Sequence, residues 1–365
     1  MAVLGLALFF LGVGLQRLAA LAPAWVERIY SRGLFPWIAR ALSAVSRLVP
    51  FSLAEVLVEL LILLALAWLV ATMRHAARQP QGRRWEAAWR RLAALLAVLG
   101  VVYLAFILLW GLNYGRQPLA GSIGLQPRPS SVSELAALCS DLIDRTNALR
   151  QQVQVDPGGF MRLSGGVPDA LRRASLGYEQ AAVRYPVLSG RYSPPKGVWV
   201  SELWSYTGIG GIYFPFTGEA NVNIAVPGSS IPAAAAHEMA HQRGFAREDE
   251  ANYIAYLVCS LHPDADFRYS GTLSAMVNAM DALGERDPAR YDELKARYSP
   301  GVRRDLAQLD AYWRAHEGPV ERVSNRINDR YLKANMQAEG VGSYGRMVDL
   351  LLAEYRERQA SVQGQ

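Results

Sequence analysis

The stretch PAAAAHEMAHQRGFAREDEANYIAY, Pro232 to Tyr256, sets two histidines four residues apart around a glutamate. Pro232 suits a first helical turn, where its missing N–H costs nothing, and the four alanines that follow favour propagation. The segment is therefore expected to be helical to about Gly244. On that helix His237 and His241 share a face and offer two imidazoles to one zinc ion. Glu238 flanks the same position, placed to take a proton from a water acidified by the metal and to pass it to a leaving amine. A catalytic zinc needs a third protein ligand and keeps its fourth position for water. Gly244 suits the left-handed conformation that ends a helix and turns the chain back. A second helix then begins near Arg247 with Glu248, Asp249 and Glu250 in its first turn, where its dipole tolerates acids. Glu248 and Glu250 lie roughly 200° apart around that helix and cannot both ligate without unwinding. From the residues alone, either can complete the site.

The chain that must position this motif is strongly asymmetric. Of its 365 residues, 51% are hydrophobic, a globular average. Yet residues 1–112 concentrate three apolar runs, about 1–22, 53–73 and 92–112, each near the ~20 residues a membrane-spanning helix requires. The first lacks a basic leader and a small-residue cleavage site, and is expected to be an uncleaved anchor. Glu55 and Glu59 share a helix face in the second run, at the interface or inside the bundle. Between the second and third runs, six arginines from Arg74 to Arg91 face a single acid, Glu86. A short basic loop of this kind stays in the cytoplasm, so the chain beyond residue 113 is expected outside it. Arg28, Arg32, Arg40 and Arg47 alternate with Trp and Leu at helical spacing, which suggests a segment lying on the membrane surface. The net charge of +6 comes largely from these arginines, and no nucleic-acid module is present. Cys139 and Cys259 are too few for a disulfide framework and sit in apolar helical patterns, which favours buried thiols over a pair.

Residues 113–130 read as a Gly/Pro-rich connector, and 131–365 as the catalytic domain. Ser131 and Glu134 match a capping box ahead of a helix. Between Val187 and Pro232 the pattern shifts to short strands or extended loops, and after the motif it returns to helix. The fold class expected is thus membrane-anchored and predominantly α, with about three amino-terminal spanning helices and an α+β domain containing a small sheet. ANVNIAV alternates as an exposed edge strand would, and Glu219 is a candidate for the cleft beside it. Tyr331, Tyr344, His316 and Arg326 are the carboxy-terminal residues whose types could stabilise an oxyanion.

HEMAHQRG has the HExxH arrangement of zinc peptidases. The metzincin pattern fails, because Arg247 stands where that motif needs a third histidine or aspartate. EDEANYIA, Glu248 to Ala255, instead resembles the ligand helix of the gluzincins. That resemblance implies Glu248 as the third zinc ligand, with Glu250 as the alternative since the spacing is shorter than usual in that clan. It further implies that Asn252 holds a ligand histidine from behind. Over nearly its full length the chain also resembles an uncharacterised bacterial family of membrane-anchored HExxH proteins, through its amino-terminal helices, TGEANVN, HEMAHQRGFAREDEAN and NDRYLKANMQAEGVGSYGRMVDLL. This implies a zincin-like fold and no particular substrate.

The function expected is a zinc metallopeptidase of the bacterial inner membrane, multi-pass, hydrolysing an extracytoplasmic peptide or protein. Its partners are then the bilayer and the peptide, with Zn2+ as cofactor. Cell-wall peptide is an alternative substrate, and a non-catalytic zinc sensor or scaffold an alternative class. Glu238 speaks against the last, since a structural zinc needs no proton acceptor. The motif helix is too short to span, which separates it from intramembrane proteases.

Overall fold

The computed structural model describes residues 1–335, 337 and 346–363, and the chain divides into two compact units. The first comprises Met1–Gln117 together with Phe214–Glu219. Its frame is three helices, α1 (Ala2–Leu21), α2 (Leu53–Ala77) and α3 (Arg84–Leu109), all long and apolar enough to cross a membrane. α3 starts eight residues before the expected run and ends three before it, because the polar turn from Arg84 continues the same helix and the chain tightens into a 3-10 turn at Gly111–Gly115. α1 packs on α3 through glycines. A Cβ at Gly5 would strike the Leu96 carbonyl, and one at Gly100 would strike the Gly5 carbonyl, the small-residue approach by which helices associate in lipid.

Between α1 and α2 the chain is helical from Pro23 to Ser46, with a π-helical stretch at Val26–Leu34. Its inner face buries Val26, Tyr30, Phe35 and Ala39 beside polar groups that are tied down. Glu27 is buried against Arg116 at 2.9 and 3.0 Å and takes Arg32 at 2.7 Å, while Ser31 donates to Asn113 at 2.8 Å. Its outer face exposes Trp25, Ile29, Trp37 and Val45 among Arg28 and Arg40. The mixed apolar and basic pattern expected of a surface segment is therefore an outward face. Of the two glutamates in α2, Glu55 is buried and Glu59 exposed.

The second unit is Pro118–Tyr213 and Ala220–Gln365, so the division falls inside the expected connector. Its core is helical: α4 (Val132–Arg150), α5 (Ile231–Gln242), α6 (Glu248–Ser260), α7 (Ala265–Arg286) and α8 (Met347–Gln363). α7 packs against α4 and α6, and α8 against α6. Leu135, Leu142, Met239, Ile254, Met276 and Leu351 belong to one continuous apolar cluster. The Ser131–Glu134 capping box forms at the start of α4. Cys139 and Cys259 are free buried thiols.

The described residues also include two small sheets. β1 (Gln154–Val155) pairs antiparallel with β2 (Met161–Arg162). β3 (Lys196–Gly197), β4 (Gly211–Phe214) and β5 (Glu219–Val222) form a sheet in the order β3-β5-β4, with β3 parallel to β5. This order corrects the edge-strand expectation for ANVNIAV. Its strand residues lie in β5, the middle strand, fully buried, and β4 is an edge. Alternation along a strand reports its two faces, whereas edge or centre depends on what pairs with it.

Glu219 is likewise not a cleft residue. It is fully buried, accepts the backbone N–H groups of Leu53 and Ala54 at 3.1 and 2.7 Å, and takes the Thr217 hydroxyl at 2.8 Å. The tip of the β4–β5 hairpin thus caps the first turn of α2, whose N–H groups have no helical partner.

Candidate metal centre

α5 begins with Ile231 and Pro232 and brings the two histidines to one face as the spacing demands. Their Nε2 atoms stand 3.0 Å apart. Gly244 adopts the left-handed conformation at φ +80°, the chain reverses, and α6 starts at Glu248. Glu248 Oε2 then lies 3.2 Å from His237 Nε2 and 3.6 Å from His241 Nε2. Bond lengths of ~2.05 Å in a tetrahedron put neighbouring ligand atoms ~3.3 Å apart. The three observed separations straddle that value, so this donor set fits a zinc ion.

Glu250, the alternative ligand, faces elsewhere. Its Oε1 accepts the Leu119 backbone N–H at 2.8 Å and the Arg247 guanidinium at 3.0 Å. Among the described residues the cluster able to hold a metal consists of His237, His241 and Glu248. His237 is the most open of the three, its side chain 14% exposed.

His241 is oriented by a backbone group that the sequence did not advertise. Its Nδ1 donates to the Phe245 carbonyl at 2.7 Å, which leaves Nε2 as the nitrogen facing His237 and Glu248. Asn252 sits one turn beyond Glu248 and is half-buried. Burial disfavours the charged ring of His241, but the neighbouring Glu248 carboxylate outweighs it and lifts the pKa to about 9. Burial also opposes ionisation of Glu248, and the two imidazoles override it, holding this carboxyl well below the ordinary range.

Glu238 is 5% exposed and lies against the open side of β4. A Cβ on Gly211 would come within 2.6 Å of Glu238 Oε1, and the Tyr213 backbone N–H bonds the carboxylate. Its Oε2 has no hydrogen-bond partner among the described residues. Burial pushes its pKa up, more than the adjacent histidines pull it down.

Distant residues hold these elements. Tyr178 donates to the Ala236 carbonyl at 2.6 Å, and Ser270 accepts the Ala233 N–H at 3.1 Å. Arg243 is buried with its guanidinium 3.7 Å from the Tyr178 ring centre, donating to the Leu188 and Met239 carbonyls at 3.0 Å each. At the start of α6, Gln337 accepts the Glu248 N–H at 3.1 Å. Of the oxyanion candidates, His316 has both ring nitrogens engaged, by the Tyr312 carbonyl at 2.8 Å and Glu202 at 3.0 Å. Arg326 and Tyr331 are exposed along the helix Pro319–Ala334. Tyr344 lies outside the described residues.

The fold and site together define a mostly helical protein with three helices able to span a membrane and a His-His-Glu cluster of metal-binding geometry. The chain belongs to the family described as a protein of unknown function (DUF3810), whose family model matches residues 30–352. No curated protein and no solved structure matches it.

Proposed function

We propose that this protein is a membrane-bound, zinc-dependent metallopeptidase with a zincin-like catalytic domain, acting on an extracytoplasmic peptide or protein. The observation that carries the reading is the convergence of His237, His241 and Glu248 at 3.0 to 3.6 Å with the buried Glu238 alongside. When bound, zinc would supply Lewis acidity to the scissile carbonyl and acidify a water. Glu238 takes the water's proton at Oε2, its unpartnered oxygen, and returns it to the leaving nitrogen. Asn252 supports the ring of His237, since the Phe245 carbonyl already holds His241.

The β4 edge is the proposed rail for the substrate backbone. Gly210 and Ile212 turn their carbonyls to the β5 side, accepting from Asn223 N at 2.9 Å and from the Asn221 side chain at 3.2 Å. Trans peptide geometry then points the N–H groups of Gly211 and Tyr213 to the open side. Tyr213 serves Glu238, and Gly211 offers its N–H and carbonyl to an extended peptide. Such pairing reads backbone and tolerates many sequences, which leaves cell-wall peptide within the same chemistry. A zinc sensor or scaffold fits less well, because a structural zinc fills four protein positions and the described cluster has three.

The test is metal analysis of the purified full-length protein with cleavage of a peptide library. We expect bound zinc and turnover in the wild type, and in Glu238→Gln retained zinc with turnover at least ~10²-fold lower. Wild-type turnover in that variant, or a protein that takes up no zinc, would overturn the proposal. The orientation rests on the arginine-rich Arg74–Arg91 loop being cytoplasmic. Reporter fusions at Gln79 and after Gln365 check it, and a cytoplasm-active signal from the carboxy terminus would refute it.

A further inference from the structure

A second site lies far along the sequence from the metal centre, at the loop end of α2. A cavity of about 650 Å³ opens between α2 and α3. Arg74, His75 and Arg78 from the end of α2 and Arg91 from α3 form its polar wall, and Leu66 and Val70 are among the apolar residues lining it. Among the described residues no carboxylate lines it. Between Glu59 and Glu134 the sequence holds one acid, Glu86, and that residue pairs with Arg90 at 2.6 Å. Arg91 donates to the Thr72 hydroxyl at 3.1 Å, a neutral partner that leaves its charge uncompensated. The cavity therefore joins three guanidinium groups to an apolar stripe on a helix of spanning length.

We propose that this cavity binds one anionic phospholipid, its phosphate held by Arg74, Arg78 and Arg91 and the start of an acyl chain lying on Leu66 and Val70. The proposal rests on α2 and α3 spanning the bilayer and is independent of the metal centre. The guanidinium fork matches phosphate oxygens in pairs. The cavity volume falls within the range of small-molecule sites, about 300 to 1,000 Å³. The apolar stripe separates a lipid from free phosphate, since an inorganic ion gains nothing from it. Ordinary attraction between a basic loop and an anionic surface would not select these arginines over Arg83, Arg84 and Arg90.

The experiment uses full-length protein in detergent micelles titrated with fluorescent phosphatidylglycerol, with phosphatidylcholine and inorganic phosphate as competitors and native mass spectrometry to count retained lipid. One phosphatidylglycerol per chain is expected, displaced by neither competitor. Replacing Arg74, Arg78 and Arg91 together by Gln should weaken binding about a hundredfold, from three lost phosphate-binding charges. Replacing Arg83, Arg84 and Arg90 by Gln should change it by less than about threefold, as for charges at the screened loop surface. Val70→Trp keeps the charge, fills the apolar wall and should also release the lipid, which guards against a triple variant that fails to fold. Equal losses in the two triple variants would assign the binding to the loop's overall charge. Displacement by inorganic phosphate would make the cavity an ion site, and equal binding of phosphatidylcholine would remove the headgroup selectivity. Each of these three results overturns the proposal.

Discussion

Glu248→Gln and Glu250→Gln should separate metal binding from stability, because the two neighbouring glutamates of α6 have opposite surroundings. Glu248 Oε2 lies 3.2 and 3.6 Å from the two histidine nitrogens. A zinc binding free energy of ~10–16 kcal/mol shared among four ligands is about 3 kcal/mol each, or on the order of a hundredfold in Kd. The neutral amide should forfeit most of that. Glu250 instead takes the Leu119 N–H at 2.8 Å and Arg247 at 3.0 Å. Its Gln variant keeps an oxygen for the amide and loses the charge assistance, a cost of about 1–2 kcal/mol in stability. Zinc titration against a competing chelator, with thermal unfolding of the metal-free protein, reads both quantities. The expected outcome is a ~100-fold weaker zinc site in Glu248→Gln. In Glu250→Gln we expect zinc affinity near wild type and a lowered melting temperature. If the 250 variant loses zinc while the 248 variant keeps it, the ligand assignment is wrong, and the proposed role of Asn252 falls with it.

Gly211→Ala introduces a Cβ within 2.6 Å of Glu238 Oε1. Peptide hydrolysis should fall by at least ~10² while zinc content stays unchanged, and undiminished turnover would show that Glu238 is not held there during catalysis. Glu219→Ala leaves the Leu53 and Ala54 N–H groups without their acceptor. A loss of about 2–4 kcal/mol is expected, measured by thermal unfolding in detergent, whereas a change within experimental scatter would mean that the hairpin tip does not secure α2. Arg356, with the Ser131 N–H, holds the half-buried Glu134 carboxyl down at about 2. A depressed carboxyl stabilises above its unfolded pKa of ~4.3 and loses that contribution as pH falls toward 2. The melting temperature of Glu134→Gln should therefore trail the wild type at neutral pH and converge with it near pH 2, and a gap that widens in acid would reverse the assignment.

Much of the site was legible because local rules govern it. A four-residue spacing in a strong helix former places His237 and His241 on one face whatever surrounds them, and Gly244 ends that helix because only glycine enters the left-handed region without cost. The three helices long and apolar enough to span a membrane, and the Ser131 capping box, follow from hydropathy and from a three-residue pattern in the same way. What the tertiary structure decided depends on groups distant in the chain. Glu248 and Glu250 look alike in the sequence. The chain's return after Gly244 aims one at the histidines, while the amide of Leu119, 131 residues away, claims the other. Strand order made β4 the edge, because pairing partners are not written into a strand's own alternation. The Phe245 carbonyl carries no side-chain signal, and the Gln337 contact to α6 joins residues 89 apart. Periodicity encodes which face a residue occupies, and only the closed fold determines what that face meets.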